Sequence, residues 1–79
     1  MARVLLFGRL ADIAGWRDAQ IEASSLHALR DTLTATDAAL GEALAGPGVQ
    51  AAIDKVIVRG DVALSAGSEV AFLPPMSGG

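Results

Sequence analysis

Cysteine is absent from the sequence, and His27 is its only histidine. A chain without cysteine forms no disulfide and offers no thiolate as a nucleophile or metal ligand, and a lone histidine is a poor basis for a metal centre. Basic residues are few as well: six stand against nine acidic residues, for a net charge of -3, and no basic cluster is present to meet a phosphate backbone. We therefore expect neither metal catalysis nor nucleic-acid binding.

Long apolar runs are also missing. Near the start, VLLF at residues 4–7 is far shorter than the ~20 apolar residues of a membrane-spanning helix, and shorter than a signal-peptide core. We expect a cytoplasmic protein with no membrane partner. The sequence has no phosphate-binding glycine loop either, because GPG at residues 46–48 leads into a strand-like run. No cofactor is expected on this chain, and any ATP would be bound by another protein.

The composition favours one small packed domain. Hydrophobic residues make up 52% of the 79 residues and charged residues 19%, which is unlike a disordered chain. A domain of this size buries ~60% of the surface of its unfolded chain. Residues 1–73 are predicted to form the domain, and residues 74–79 are predicted to form a projecting tail.

Two strands are predicted at the start. ARVLLFG at residues 2–8 is apolar at almost every position, which predicts an interior strand covered on both faces. AQIEA at residues 19–23 alternates polar and apolar residues, as a half-buried edge strand does. Residues 9–18, which mix charges with Gly15, are predicted to be a long loop between them.

A helical pattern follows the two strands. Ser24 or Ser25 can cap the start of a helix. The apolar stripe that should face the sheet consists of Leu26, Leu29, Leu33, Leu40 and Leu44. The stripe has no apolar residue in the helical turn around Thr36 and Asp37. We expect a bend there, followed by a second short helix over residues 38–45.

Three more strands complete a predicted α+β architecture. GPG ends the helical region, and strands are predicted from VQAAI at residues 49–53, KVIVRG at 55–60 and EVAFL at 69–73. The predicted order is β-β-α-β-β-β. Because the helical segment covers only one face of a small sheet, the second face is either available to a partner or covered by the loop at residues 9–18.

No catalytic constellation stands out in the body of the chain. The nine acidic residues are scattered, with no pair placed as acid and base. His27 fits a surface or helix-cap position, and RGD at residues 59–61 fits a turn. Trp16 is either an interface anchor or a lid on the core.

The last six residues, PPMSGG, are the remaining candidate site. Pro74 and Pro75 end strand pairing and favour an extended conformation, so the tail can reach up to ~20 Å from the body. Gly78 and Gly79 lack side chains, and they would fit a narrow tunnel in a partner protein. A free α-carboxyl group has a pKa of about 3.3–3.7 and is ionised at neutral pH, so it must be activated, for example as an acyl-adenylate.

These residues resemble the ubiquitin-like sulfur carriers of β-grasp fold, and among them the small subunits of molybdopterin synthases. VLLFGRLADIAG is similar to the first strand and loop of that family, VQAAID to its middle strand, and ALSAGSEVAFLPPMSGG to its C-terminal signature. The most specific part is the apolar strand followed by Pro-Pro-x-Ser/Thr-Gly-Gly. Asp54 stands where the family commonly has asparagine, and Ala66 and Ser68 replace frequent acidic residues of a turn.

The resemblance implies a β-grasp fold with a mixed sheet of about five strands, one main helix and a possible second short helix. It implies that Gly79 is adenylated by an ubiquitin-activating-like adenylyltransferase that uses ATP, and is then converted to a thiocarboxylate by a sulfur donor protein. The sulfur would pass to cyclic pyranopterin monophosphate on a large subunit, in an assembly of two small and two large subunits. Two rounds would form the dithiolene of molybdopterin, and the chain alone would be a non-catalytic carrier.

By the same resemblance, one set of residues contacts the large subunit, and Gly79 reacts. The expected contacts are Phe7, Leu73, Pro74, Pro75, Met76, Ser77 and Gly78. Three other functions stay open: the related carrier of thiamine thiazole synthesis, which usually lacks Pro-Pro before Gly-Gly; a protein modifier joined to lysines; and an interaction module with an inert tail.

Overall fold

The computed structural model describes residues 1–75 of the chain. The predictions for Met76, Ser77, Gly78 and Gly79 fall outside the described residues. The elements follow one another in this order: β1 (Ala2–Leu6), α1 (Arg9–Ala14), β2 (Asp18–Ile21), α2 (Leu26–Thr36), α3 (Ala38–Leu44), β3 (Gln50–Ile53), β4 (Val56–Val58) and β5 (Glu69–Leu73).

The five strands form one mixed sheet in the order β2-β1-β5-β3-β4. β1 and β5 are parallel, with Val4 opposite Val70 and Leu6 opposite Phe72, and the other neighbouring pairs are antiparallel. The first and last of these strands therefore lie side by side, with β5 in the centre. This is the predicted α+β β-grasp fold, with β1 inside the sheet and β2 at its edge.

The core lies on one face of the sheet, where side chains at alternate strand positions meet the helices. The strands contribute Val4, Leu6, Val70 and Phe72, which expose at most 2% of their surface. The helices contribute the five leucines of the predicted stripe, all of them buried: Leu26, Leu29, Leu33, Leu40 and Leu44. The prediction that this stripe faces the sheet is confirmed.

The prediction that β1 is covered on both faces is wrong for one face. Val4 and Leu6 are buried, but Arg3 between the core positions is exposed and Leu5 is only half-buried. The sequence at residues 2–8 is apolar at almost every position because the uncovered face of the strand also carries large apolar side chains, Leu5 and the exposed Phe7.

The predicted bend between two helices is confirmed at Asp37, which alone separates α2 from α3 and has an extended backbone with φ -146. Its carboxylate accepts a hydrogen bond from the Leu40 N–H at 3.1 Å. At the start of α2, the Ser25 hydroxyl accepts from the Ala28 N–H, also at 3.1 Å. Each cap satisfies a donor that the helix start leaves unpaired, so both helices begin where the sequence places a capping side chain.

The structure corrects the prediction of a long loop at residues 9–18, because residues 9–14 form α1. Leu10 and Ala11 are buried in the same core as the leucines of α2 and α3. Gly15 ends the helix in the left-handed conformation, with φ 83. Two charges in the segment and the lack of a side-chain cap obscured its helical pattern. Since α1 packs against α3, it extends the helical layer and leaves the opposite face of the sheet uncovered.

Gly41 allows α3 to approach α2 closely. A Cβ at this position would lie 2.5 Å from Thr34 Oγ1 and 2.8 Å from Thr34 Cα. In a helix interior, alanine stabilises the helix by about 1 kcal/mol relative to glycine. Here the added Cβ clashes with a backbone atom, so the two helices must move apart, and overpacking of this kind costs ~1–3 kcal/mol. We expect Gly41→Ala to lower the free energy of unfolding, measured by urea denaturation.

Gly67→Ala is the matched control for this measurement. No atom outside its chain neighbours lies within 4 Å of a Cβ built at Gly67. Its free energy of unfolding should stay within about 0.5 kcal/mol of the wild-type value. Equal stability of Gly41→Ala and the wild type would contradict the close packing of the two helices.

Candidate functional site

Four of the predicted contact residues belong to the described chain, and they gather at one end of the sheet. Phe7 directly follows β1 and exposes 46% of its surface. Leu73 is the last residue of β5 and is half-buried. Pro74 is half-buried and Pro75 is exposed. The roles predicted for the rest of the tail stay predictions.

The central position of β5 explains why these residues meet. β1 is parallel to β5 and β3 is antiparallel to it, so the end of β5 adjoins the end of β1 and the start of β3. The Phe7 N–H donates to the Phe72 carbonyl at 3.3 Å, and Gln50 of β3 pairs with Leu73. The tail therefore leaves from the middle of the sheet, between the loop after β1 and the loop before β3.

The face of the sheet opposite the helices carries a band of apolar side chains. One row crosses four strands, because Leu5 pairs with Ala71, Ala71 with Ala52, and Ala52 with Ile57. Residues paired across a sheet share a face, and so do residues two apart along a strand. Phe7 and Leu73 extend the band toward the tail. We call the following six residues the apolar sheet face: Leu5, Phe7, Ala52, Ile57, Ala71 and Leu73.

The larger side chains of the apolar sheet face are accessible, whereas Ala52 at its centre exposes only 7% of its surface. Ile57 exposes 45% of its surface and Phe7 46%, and Leu5 is half-buried. The buried residues of all three helices belong to the core on the other side. Of the two interpretations of the second face, the structure favours the one available to a partner. Trp16 packs against the core as a partly buried lid. A contiguous apolar band of this kind marks an interaction site more often than scattered apolar residues do.

A charged cluster borders the apolar sheet face along β2, where Asp18 pairs with Leu5, and at the start of β5, where Glu69 lies. Arg3 Nη2 lies 2.7 Å from Asp18 Oδ2, and Arg3 Nη1 lies 3.6 Å from Glu69 Oε1. The hydrogen bond from the Arg3 guanidinium holds the pKa of Asp18 below its usual value. These exposed ion pairs add little to stability. Their consequence is a surface with a charged border along β2 and at the start of β5, and with apolar side chains beside the tail.

His27 and Asp61 stabilise the start of α2. Asp61 Oδ1 accepts a hydrogen bond from the His27 N–H at 2.9 Å, and the exposed ring places Nδ1 3.7 Å from Asp61 Oδ2. The backbone hydrogen bond lowers the pKa of Asp61. Gly60 forms a bend with φ 75. The surface or helix-cap position predicted for His27 is confirmed, and the chain bends at Gly60 within the RGD segment that was predicted to be a turn.

The described residues form neither a metal cluster nor a membrane-spanning helix. Within residues 1–75, no group of three or more histidine or acidic side chains is placed to hold a metal ion. In the same part of the chain, no helix has the length and apolar character needed to cross a membrane. The site built by the described residues is a binding surface beside the root of the tail.

Residues 4–79 match the ThiS family, a span that includes nearly all of the sheet, the helices and the tail. The chain belongs to the ThiS family. A molybdopterin synthase sulfur carrier subunit from Escherichia coli (strain K12) is 32% identical over 81 residues, which cover 100% of this chain and 100% of the relative. This ThiS-family chain is thus a sulfur carrier of the ubiquitin-like β-grasp class.

Two solved structures have a similar fold. SAMP1 from Haloferax volcanii has a TM-score of 0.86 at 25% identity, with 99% of this chain and 98% of that chain covered. Small archaeal modifier protein 1 from Methanosarcina acetivorans has a TM-score of 0.87 at 22% identity, with 99% and 95% covered. The predicted β-grasp fold of this ThiS-family chain is confirmed.

Three residues near the site were not singled out from the sequence. Ile57 lies on the apolar sheet face, and the signal that could have placed it there is that successive side chains of a strand point to opposite faces, which sets Ile57 apart from Val56 and Val58. Gly8 and Gly48 adjoin Pro74 and Pro75. Neither glycine carries a local signal of this contact, because the prolines are distant along the chain.

Proposed function

We propose that this ThiS-family chain is the sulfur-carrier subunit of a molybdopterin synthase. The observation that carries the proposal is that β5 ends in the centre of the sheet, where Pro74 and Pro75 follow Leu73 of the apolar sheet face. A tail rooted there is presented to any protein that docks on that face. The Escherichia coli relative, whose name states this role, supports the proposal.

The first stage of the reaction activates the Gly79 carboxyl group. As a carboxylate, which is its form at neutral pH, it is a poor electrophile. Its oxygen attacks the α-phosphorus of ATP bound by an adenylyltransferase, and pyrophosphate leaves. A sulfur donor protein then supplies sulfur at the oxidation state of sulfide, AMP leaves the acyl carbon, and the terminus becomes a thiocarboxylate.

The second stage transfers the sulfur. The thiocarboxylate sulfur bonds to a side-chain carbon of cyclic pyranopterin monophosphate held by the large subunit, while a C–O bond at that carbon breaks and the oxygen leaves with a proton. Water then cleaves the resulting thioester, so that sulfur stays on the pterin and a carboxylate returns at Gly79. Two rounds supply both sulfur atoms of the dithiolene. The chain acts as the carrier arm, and the substrate site belongs mainly to the large subunit.

Docking on the large subunit uses the apolar sheet face. Phe7 and Leu73 contact the partner beside the root of the tail, Met76 packs at the mouth of a tunnel, and Gly78 and Gly79 lie inside it. Removal of exposed apolar surface from water drives the association, at ~25 cal/mol per Å² buried. The charged cluster that borders the face gives the complex one orientation.

A protein modifier is the second candidate, because two similar structures are of small archaeal modifier protein 1. A modifier would use the same adenylated terminus but would end joined to a lysine. The family match also leaves the carrier of thiamine thiazole synthesis open. Pro74 and Pro75 before Gly-Gly favour the molybdopterin role over the thiamine role.

Sulfur loading at Gly79 tests the first stage. Incubation with the adenylyltransferase, ATP and a sulfur source should replace one oxygen by one sulfur at Gly79, located by tandem mass spectrometry of the terminal peptide. A chain extended by one residue after Gly79 is the control, and it should stay unloaded with an unchanged circular dichroism spectrum. An unloaded wild-type peptide would contradict the carrier function. Lysine-linked adducts without thiocarboxylate would support the modifier function.

Phe7→Asp tests the docking surface. It places a charge on the apolar sheet face, and we expect it to weaken binding to the large subunit by ~30-fold or more, the effect of losing a hot spot worth ~2 kcal/mol. Isothermal titration calorimetry measures the affinity. Thr32→Asp, at an exposed position of α2 on the helical side, adds the same charge and should leave the affinity unchanged. Equal affinities of Phe7→Asp and the wild type would argue against docking through this face.

A further inference from the structure

Two glycines with positive φ lie where the tail leaves the sheet. Gly8, with φ 56, follows β1, and Gly48, with φ 83, precedes β3. β1 and β3 are the strands on either side of β5. The chain beyond β5 therefore passes between the two glycines.

Each glycine provides space that a proline fills. A Cβ at Gly8 would lie 3.0 Å from Pro74 Cγ, and a Cβ at Gly48 would lie 2.8 Å from Pro75 Cβ and 3.5 Å from Pro75 Cα. The shortest of these distances, 2.8 Å, is well below the van der Waals separation of about 3.5–4.0 Å between two carbon atoms. Glycine is thus required at Gly48 for two reasons, its positive φ and the proline against it.

We propose that Gly8 and Gly48 form a cradle that holds Pro74 and Pro75 and sets the direction in which the tail leaves the sheet. In this role both glycines are positioning residues, since they touch the root of the tail and not the reacting group. The importance of the direction for sulfur transfer rests on the proposed function, whereas the cradle itself is a property of the isolated chain.

The length of the tail makes the direction important. Four residues beyond Pro75 span up to ~14 Å, so a rotation of about 30° at the root would displace the Gly79 carboxyl carbon by ~7 Å. Misplacement of a reacting group by about 1 Å can cost a factor of ~100 in rate. The proline rings, with their fixed φ, reduce the number of directions still further, and this lowers the entropy lost when a partner takes up the tail.

Gly48→Ala tests the cradle, with Gly60→Ala as the matched control. Gly60 has a similar φ of 75, but no atom lies within 4 Å of a Cβ built there. Alanine is strained by the left-handed backbone at both positions, and only at Gly48 does it also push against Pro75. Both variants should remain folded, and the strain of the positive φ is common to them, so a difference between their tails reports on the contact with Pro75.

Two measurements compare these variants. In NMR spectra of the isolated chain, nuclear Overhauser effects between residue 48 and Pro75 should be present in the wild type and Gly60→Ala and lost in Gly48→Ala. The initial rate of sulfur loading at Gly79 should be at least tenfold lower in Gly48→Ala than in Gly60→Ala. Retained Pro75 contacts in Gly48→Ala, or loading at the rate of Gly60→Ala, would overturn the inference.

Gly8 allows a rescue experiment. A Cβ at Gly8 would lie 3.0 Å from Pro74 Cγ, and the other Pro74 atoms near it are at 3.9 Å or more. Replacing Pro74 by alanine removes this Cγ atom. In a double-mutant cycle, Pro74→Ala should restore part of the loading rate lost in Gly8→Ala, and additive losses would count against the contact. If wild-type protein takes up no sulfur, the proposed function fails. The Overhauser effects between residue 48 and Pro75 in the wild type then test the cradle by themselves: their presence supports the cradle, and their absence contradicts it.

Discussion

The pairing of β5 between β1 and β3 is the constraint on which the whole site depends. If β5 lay at the edge of the sheet, the residues that follow it would leave from the side of the molecule. The central strand releases it between two loops, one from each neighbour, beside Phe7 and the two glycines. The register matters equally, because a slip of one residue would turn Leu73 and Ala71 toward the helices and Phe72 toward the partner. Burial of Val70 and Phe72 at 0% exposure therefore determines which side chains a partner meets.

The one-sided helical layer has a second consequence for a carrier. α1, α2 and α3 all pack on the same face, and residues 1–75 contain no further element that covers the other. The uncovered face is apolar without being bulky, since alanines occupy the centre of its longest row at Ala52 and Ala71. A surface of this kind suits partners that must bind in succession and then dissociate. The larger side chains, Phe7 and Leu73, are concentrated beside the tail.

Much of this architecture could be predicted because its signals are local. The capping side chains Ser25 and Asp37 place two helix starts, and the leucine spacing indicates the buried stripe. α1 was missed because its pattern is short and interrupted by charges. β1 was misjudged because an apolar run does not distinguish a buried face from an apolar docking face. The contacts of Gly8 and Gly48 join residues that are distant along the chain, and only the folded sheet brings them to the prolines.

Single-turnover transfer of sulfur from Gly79 identifies the molecule that accepts it. The chain is loaded with isotopically labelled sulfur at Gly79, purified, and mixed with the large subunit and cyclic pyranopterin monophosphate. The account predicts that the label leaves Gly79 and appears in the dithiolene of molybdopterin, with two chains consumed for each pterin. Label that stays on the chain in the presence of both components, or that is delivered only to a thiazole precursor when that is supplied with its own synthase, would contradict it.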